Sequence, residues 1–552
     1  MIRVRETQRM IPFYRPKPLT DLPLIYHRDH LFPYTSFDET EPGAVARNWR
    51  VVVLENDGLR IEVVPELGGR VYSFFDKRLD REILFSNPVV KPVRILPIWA
   101  FISGGIEFNF PIAHSPTSMA EVGCVFGQTD DYGFIRVGER EARTGMEWAV
   151  ELGLFANRPG LIQRSYFRNR TEADHPWMSW TICAVRSTLE TEFIHPPHRV
   201  LAHNDRVIEL DWPGNGLNWD RNYRQMTALF WKPGSAPGFG VFHHDLGFGL
   251  MHLADPDRLP GKKIWTYGHG RHRAWGQDTT EGGLSYAEIE SGPLLDQSEK
   301  PRFPSGATRH FEEYWIPVHS RVECDCLEWA PLSLPPRHDP WLGCQHSQWQ
   351  REWENFRAGT GSLPASTVPT GLDLESVLRR ELDRGHSNAA EPLALWLAFH
   401  GRPGDALSFV RHSDIPSMKR LAGLILWKGL QDLEGAIPLL EHGPLHDPVA
   451  VAELDELYAL LGQTGKRGPL LDRAPGHRLI LERRIDLALA CGEPDKAIQW
   501  LSTHDWPREH QRYVRTGLWR RAIADKGGGA VEVPDFLKED NLAPFGAYWS
   551  DS

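Results

Sequence analysis

Val51-Val52-Val53-Leu54-Glu55-Asn56-Asp57-Gly58-Leu59-Arg60-Ile61-Glu62-Val63-Val64-Pro65 decides the first half of the fold. Two β-branched runs flank Asn-Asp-Gly, the residue set that closes a hairpin. Gly68–Asp76 then reads as a further strand. Strand-like pieces recur at Met146–Phe155, Leu161–Asn169, Met178–Val185, Phe239–Phe242, Leu284–Ser291 and Arg309–Val318. No long helical pattern interrupts them before about residue 340. Many strands without βαβ alternation predict one large antiparallel sandwich.

Further along, the composition changes. Residues 51–210 hold 12 Leu and 9 Ala, whereas residues 371–530 hold 28 and 17, so the second stretch favours helix. Leu374, Leu378 and Leu382 recur on one helical face. Ala406, Ala436, Arg467 and Ala497 sit in similar settings at steps of 30, 31 and 30 residues. That period suits stacked helix pairs like a degenerate tetratricopeptide array, whose usual repeat is longer, or else an irregular bundle. The order is therefore β then α. Residues 1–45 read as an irregular extension packed on the body, 46–330 as the sandwich, 331–370 as a Pro-broken junction and 371–552 as the helical repeat domain. Trp341, Trp349 and Trp353 would glue the two parts together.

At 552 residues, 41% hydrophobic and 24% charged, the chain is globular. Its net charge of −11 argues against nucleic acid and anionic membranes as partners. No apolar core follows Met1–Arg5 as in a signal peptide, and no run approaches a membrane span. Six cysteines in this length suit a reducing cytoplasm. The 21 Trp suit both core packing and stacking on sugar rings.

Four constellations carry candidate chemistry. In Ser103-Gly104-Gly105-Ile106-Glu107-Phe108-Asn109, with His114 beyond, Glu107 and Asn109 share one strand face. A carboxylate in so apolar a run needs a partner, whether backbone, Arg or substrate. Val241-Phe242-His243-His244-Asp245, with His252 and Asp255, matches no common zinc spacing; it reads as a structural metal site or a surface turn, or as one His directed into a sugar site. Lys263, Trp265 and Tyr267 alternate onto one face, with Trp275 nearby, as either ordinary packing or a sugar platform. Tyr286, Glu288 and Glu290 share another face, where two carboxyls repel; one would be kept protonated or lie near a cation such as Lys263. Cys324-x-Cys326 and Cys344-x-His346 are poorly spaced for zinc. No phosphate loop, dinucleotide fingerprint or nucleophile elbow is present, so no metal or cofactor is expected.

Ser103–Asn109, Gly261-Lys262-Lys263-Ile264-Trp265-Thr266-Tyr267-Gly268, Tyr286–Gly292 and Glu313-Tyr314-Trp315-Ile316-Pro317 together resemble a bacterial family, domain of unknown function 5107, over about residues 45–320. That family is similar to the galactose mutarotase-like β-supersandwich superfamily, which includes aldose 1-epimerases. The resemblance implies a β-supersandwich acting on carbohydrate. It maps an epimerase's late-strand Glu base onto Glu288, and its acid His onto His243 or His244. The epimerase's early His-Gly element is replaced here by Gly104–Asn109 and His114. An early carboxylate beside a late one, Glu107 and Glu288, suits a glycoside hydrolase. An epimerase, a lyase variant and a sugar-sensing module with a helical scaffold are the alternatives. The expected catalytic set is Glu107, Glu288 and His243. The expected substrate contacts are Asn109, His114, His244, Lys263, Trp265, Tyr267, Trp275, Tyr286 and Glu290. The helical domain would serve a homo-oligomer or a protein partner.

Overall fold

The computed structural model describes residues 1–27, 31–95, 99–203, 207–223, 227–266, 276, 279–297, 299–331, 339–341, 347–503 and 512–528. Antiparallel strands fill the first 318 residues and form a twelve-stranded and an eight-stranded sheet. The expected hairpin is present: Val45–Glu55 pairs with Leu59–Val64. Asn56 Oδ1 closes its turn, accepting the amides of Gly58 at 2.9 Å and Leu59 at 2.7 Å.

The larger sheet runs through Leu59–Val64, Arg70–Asp76, Ile106–Asn109, Trp180–Arg186, Tyr286–Gly292, Gly261–Thr266, Thr227–Trp231 and His198–His203. Alternation gives its strands two unlike faces. Val71, Ile106, Cys183, Ile289, Ile264 and Leu229 turn inward and meet Val137, Trp148, Leu152, Val241 and Trp315 of the smaller sheet in one core. The opposite face carries Arg70, Glu107, Glu288, Glu290 and Lys263, and the site is built there.

The inter-sheet core also holds polar groups. Glu313 accepts from Gln163 at 2.7 Å and Thr181 at 3.1 Å, and lies 2.9 Å from His252 Nε2. Such groups tolerate burial because each finds a partner.

The N-terminal extension departs from the irregular reading. Arg3–Phe13 is an eleven-residue strand paired along its whole length with Val45–Glu55. It escaped the pattern because it closes an edge of the sheet, where charged side chains are tolerated and alternation is weak. The chain then crosses to the helices. Ile25 and Phe32 enter the helical core, and Leu19 and Leu24 pack on Val449.

In the C-terminal half, the helices Ala390–Phe399, Pro448–Leu460 and Arg478–Ala490 each pack on the helix that follows, Pro403–Val410, Thr464–Arg473 and Pro494–Thr503 respectively. Pro416–Leu424 packs likewise on Leu433–Glu441, which follows a short π-helical turn. Ala406, Ala436, Arg467 and Ala497 are each the fourth residue of the second helix in a pair. All four are buried. Arg467 is accommodated by its ion pair with the buried Asp455, at 2.8 Å.

The 331–370 stretch contains a helix, Gln348–Ala358, rather than linker alone. Its Trp353 enters the helical core, whereas Trp341 packs on Tyr166 of the smaller sheet. No helix among the described residues is long and apolar enough to cross a membrane.

Candidate functional site

Strand register puts the polar residues in two rows. One runs Arg70, Glu107, Ile182, Glu290, Lys263 and Phe230; the next runs Gly105, Ala184, Glu288, Trp265 and Ala228, ending at His203. Glu107 and Glu288 are two strands and one two-residue step apart, about 12 Å between backbones.

The turn before Glu107 needs glycine. Gly104 and Gly105 have φ of +94° and +75°, and a Cβ on Gly105 would lie 2.1 Å from the Val71 carbonyl. That close approach brings the strand beside Arg70. Arg70 Nη2 donates to Glu107 Oε2 at 2.8 Å, and Nη1 to the Gly104 carbonyl at 2.6 Å. His114 Nδ1 lies 3.2 Å from Glu107 Oε1. Burial alone would raise the Glu107 carboxyl, but His114 and Arg70 outweigh it and hold the group below its ordinary range. Asn109 positions this loop: its Oδ1 accepts the Ser115 amide at 2.6 Å and its Nδ2 donates to the Trp180 carbonyl at 3.2 Å.

Glu288 has the opposite environment. It is 4% exposed, and no hydrogen bond reaches its carboxyl among the described residues. Burial, then the charges of Glu290 and Glu107, push it well above the usual carboxylate range, with Lys263 and Arg70 opposing. Glu290 is paired instead: Lys263 Nζ lies 2.7 Å from its Oε1, and Gln297 links the two, accepting from Lys263 at 2.9 Å and donating to Glu290 at 2.8 Å. Lys263 Nζ also stands 4.4 Å from the Trp265 ring centre. Tyr286 stacks on Phe85 at 4.8 Å.

The structure thus brings together Glu107, Asn109, His114, Lys263, Trp265, Tyr286, Glu288 and Glu290. Tyr267 and Trp275 lie outside the described residues. His243 and His244 lie elsewhere: both follow from the smaller sheet, where His243 Nδ1 is 2.9 Å from Thr191 Oγ1 and His244 Nε2 is 2.9 Å from Glu192. Burial lowers His243 to about 4, which suits a neutral core histidine. The grouping of His243 with Glu107 and Glu288 is therefore replaced by His114. Among the described residues no three His, Cys, Asp or Glu side chains converge as a metal site.

Two residues escaped the sequence reading. Arg70 lies within the expected strand Gly68–Asp76, where its alternation with the core residue Val71 was the available signal. His203 shares the site face, 3.5 Å from Asp296, and burial lowers it against that neighbour's pull.

The model of a family described as "Domain of unknown function (DUF5107)" matches residues 27–318. The chain belongs to this family. Along 98% of both chains it is similar to the crystal structure of a TPR-domain containing protein from Parabacteroides distasonis, with 28% identity and a TM-score of 0.89. It is also similar to a putative aldose 1-epimerase from Escherichia coli K12, at 11% identity over 48% of this chain and 98% of that one, TM-score 0.36. A galactose mutarotase-like protein from Lactobacillus casei matches at 10% identity over 48% and 99% of the two chains, TM-score 0.36. The DUF5107 match spans all the residues that build the site, from Arg70 to Gln297.

Proposed function

We propose that this member of the DUF5107 family is a carbohydrate-active enzyme that cleaves a glycosidic bond on the polar face of its larger sheet. One observation carries the reading: two buried carboxyls on one face are driven apart, Glu107 toward the ionised form and Glu288 toward the protonated form. Environments that separate two carboxyls in this way assign an acid and a base. Glu288 would protonate the leaving glycosidic oxygen. Glu107 would attack the anomeric carbon, or take a proton from the water that does. Arg70 and His114 keep Glu107 ionised. Trp265, partly buried beneath the Lys263 ammonium, would supply a flat surface for a sugar ring.

His114 beside the cluster favours a second reading. A Glu and a His suffice for an aldose 1-epimerase, with Glu288 serving the anomeric hydroxyl and His114 the ring oxygen. Incubation with a panel of oligosaccharides, read by mass spectrometry, separates the two. Cleavage products that disappear in Glu288→Gln support the hydrolase. Accelerated anomer exchange by NMR without cleavage supports the epimerase. Neither activity in the wild type would overturn both.

A further inference from the structure

The strands that carry Glu107 and Glu288 begin at the same end of the larger sheet, because the single strand between them, Trp180–Arg186, is antiparallel to both. Residues 85–87 are wedged between those two beginnings. On one side the Gly105 amide donates to the Phe85 carbonyl at 2.9 Å, and a Cβ on Gly104 would stand 2.9 Å from the Asn87 backbone nitrogen. On the other side the Phe85 ring stacks on Tyr286, two residues before Glu288.

Asn87 joins the two sides. Its Nδ2 donates to Ser103 Oγ at 2.8 Å and to the Thr279 carbonyl at 2.8 Å. Ser103 Oγ closes the triangle, donating to the same carbonyl at 2.9 Å. A carbonyl only accepts, so the side-chain amide must present its nitrogen there. One Nδ2 hydrogen thus holds the turn that leads into Glu107, and the other holds the segment that leads into the strand of Glu288. The rest of the residue is fixed as well: its carbonyl accepts from Tyr72 Oη, and its Oδ1 accepts the Val89 amide at 3.3 Å. Asn87, Ser103 and Thr279 are at most 1% exposed, so water cannot stand in for a lost bond.

We propose that Asn87 is a positioning residue: through Ser103 and Thr279 it sets the separation of the Glu107 and Glu288 carboxyls. The proposal rests on the acid–base reading of that pair. Asn87 makes no hydrogen bond to either carboxyl among the described residues, so it acts through geometry. A misplacement of about 1 Å in a reacting constellation costs about 100-fold in rate.

Full-length wild type, Asn87→Ala and Ser103→Ala test it. Turnover is measured on the oligosaccharide that the wild type cleaves fastest and is scaled to the folded fraction by circular dichroism; crystal structures of the same three proteins give the carboxyl separation. Asn87→Ala should lower kcat about 100-fold and Ser103→Ala about tenfold, with KM within about twofold of wild type. The separation should change by about 1 Å in Asn87→Ala. The alkaline limb of the kcat–pH profile, set by Glu288 as the acid, should shift with it, because Glu107 is among the charges that raise Glu288. A merely structural role would lower the thermal midpoint and leave the kcat of the folded protein, its pH profile and the separation as in the wild type; that result overturns the proposal. Should Asn87→Ala fail to fold, Ser103→Ala, which keeps the bond from Asn87 to Thr279, decides by the same readouts. A wild type that cleaves nothing would sink the acid–base reading instead. The crystallographic separation then decides alone: a change upholds the role of Asn87, and an unchanged separation overturns it.

Discussion

Replacing Arg70 by methionine removes one of the two groups, with His114, that keep Glu107 ionised. The Arg70 and Glu107 side chains are nearly inaccessible, at 3% and 4% exposure, so the carboxylate left behind could not be rescued by water. Charge centres about 4 Å apart attract by about 4 kcal/mol at an effective dielectric of 20. Breaking one partner of a buried pair costs about 3–5 kcal/mol. Arg70→Met should therefore lose about 4 kcal/mol at pH 7, measured by urea unfolding followed by tryptophan fluorescence. The double variant Arg70→Met/Glu107→Met removes the stranded charge and should recover at least about 2 kcal/mol, because apolar pairs often replace buried ion pairs without loss.

The pH dependence follows with its sign. In the wild type the folded-state value of Glu107 is depressed below the ordinary 4.5. Its stabilisation is present above pH 4.5 and fades as pH falls through the folded value. Without Arg70 only His114 opposes burial, so the folded value is higher than in the wild type and less stability is gained as pH rises through it. The gap between wild type and Arg70→Met should widen from pH 4 to pH 7. A double variant no more stable than Arg70→Met, or a gap independent of pH, would refute the reasoning.

The remaining predictions concern other buried groups. Glu288 retains a proton that the unfolded chain releases above pH 4.5, so the wild type loses stability as pH rises toward the raised folded value. Glu288→Gln should lessen that decline, to which the buried Glu139, raised to about 8, also contributes, seen in urea midpoints at pH 5 and pH 8. Lys262 is wholly buried, among the described residues its ammonium has only Ser235 as a hydrogen-bond partner, at 3.0 Å, and burial lowers it from 10.5 to about 8. Lys262→Met should stabilise the protein at pH 7 by roughly 2–4 kcal/mol, because burial disfavours the charged ammonium. It should also abolish the wild-type gain in stability between pH 8 and pH 10.5. Gly105→Ala should cost roughly 2–4 kcal/mol in the same assay, from a strained positive φ and overpacking against Val71.

Local signals made much of the fold legible. The Asn56-Asp57-Gly58 turn, the alternation in Tyr286–Gly292 and the thirty-residue helical period each depend on neighbours in sequence, and each stands in the structure. Strand pairing between distant segments was not legible. Arg70 meets Glu107 only because Ile106 pairs with Val71, a register that neither strand specifies alone. His243 looked equivalent to a site histidine by order along the chain, yet sheet assignment separates it from Glu288. The strand Arg3–Phe13 was hidden because an edge position relaxes the apolar pattern. Most tryptophans proved to be packing residues: Trp49, Trp148, Trp180, Trp231, Trp315 and Trp353 are fully buried, and Trp265 is a partly buried one on the polar face.

The central claim is that Glu107 and Glu288 act as a base and an acid on a sugar. Its most direct test is turnover of an oligosaccharide panel by wild type, Glu107→Gln and Glu288→Gln, with products weighed by mass spectrometry. The account predicts glycosidic cleavage by the wild type and a loss of at least about 100-fold in each variant, as for removal of a general acid or base. Cleavage that survives both substitutions, or a wild type that cleaves nothing, would contradict it.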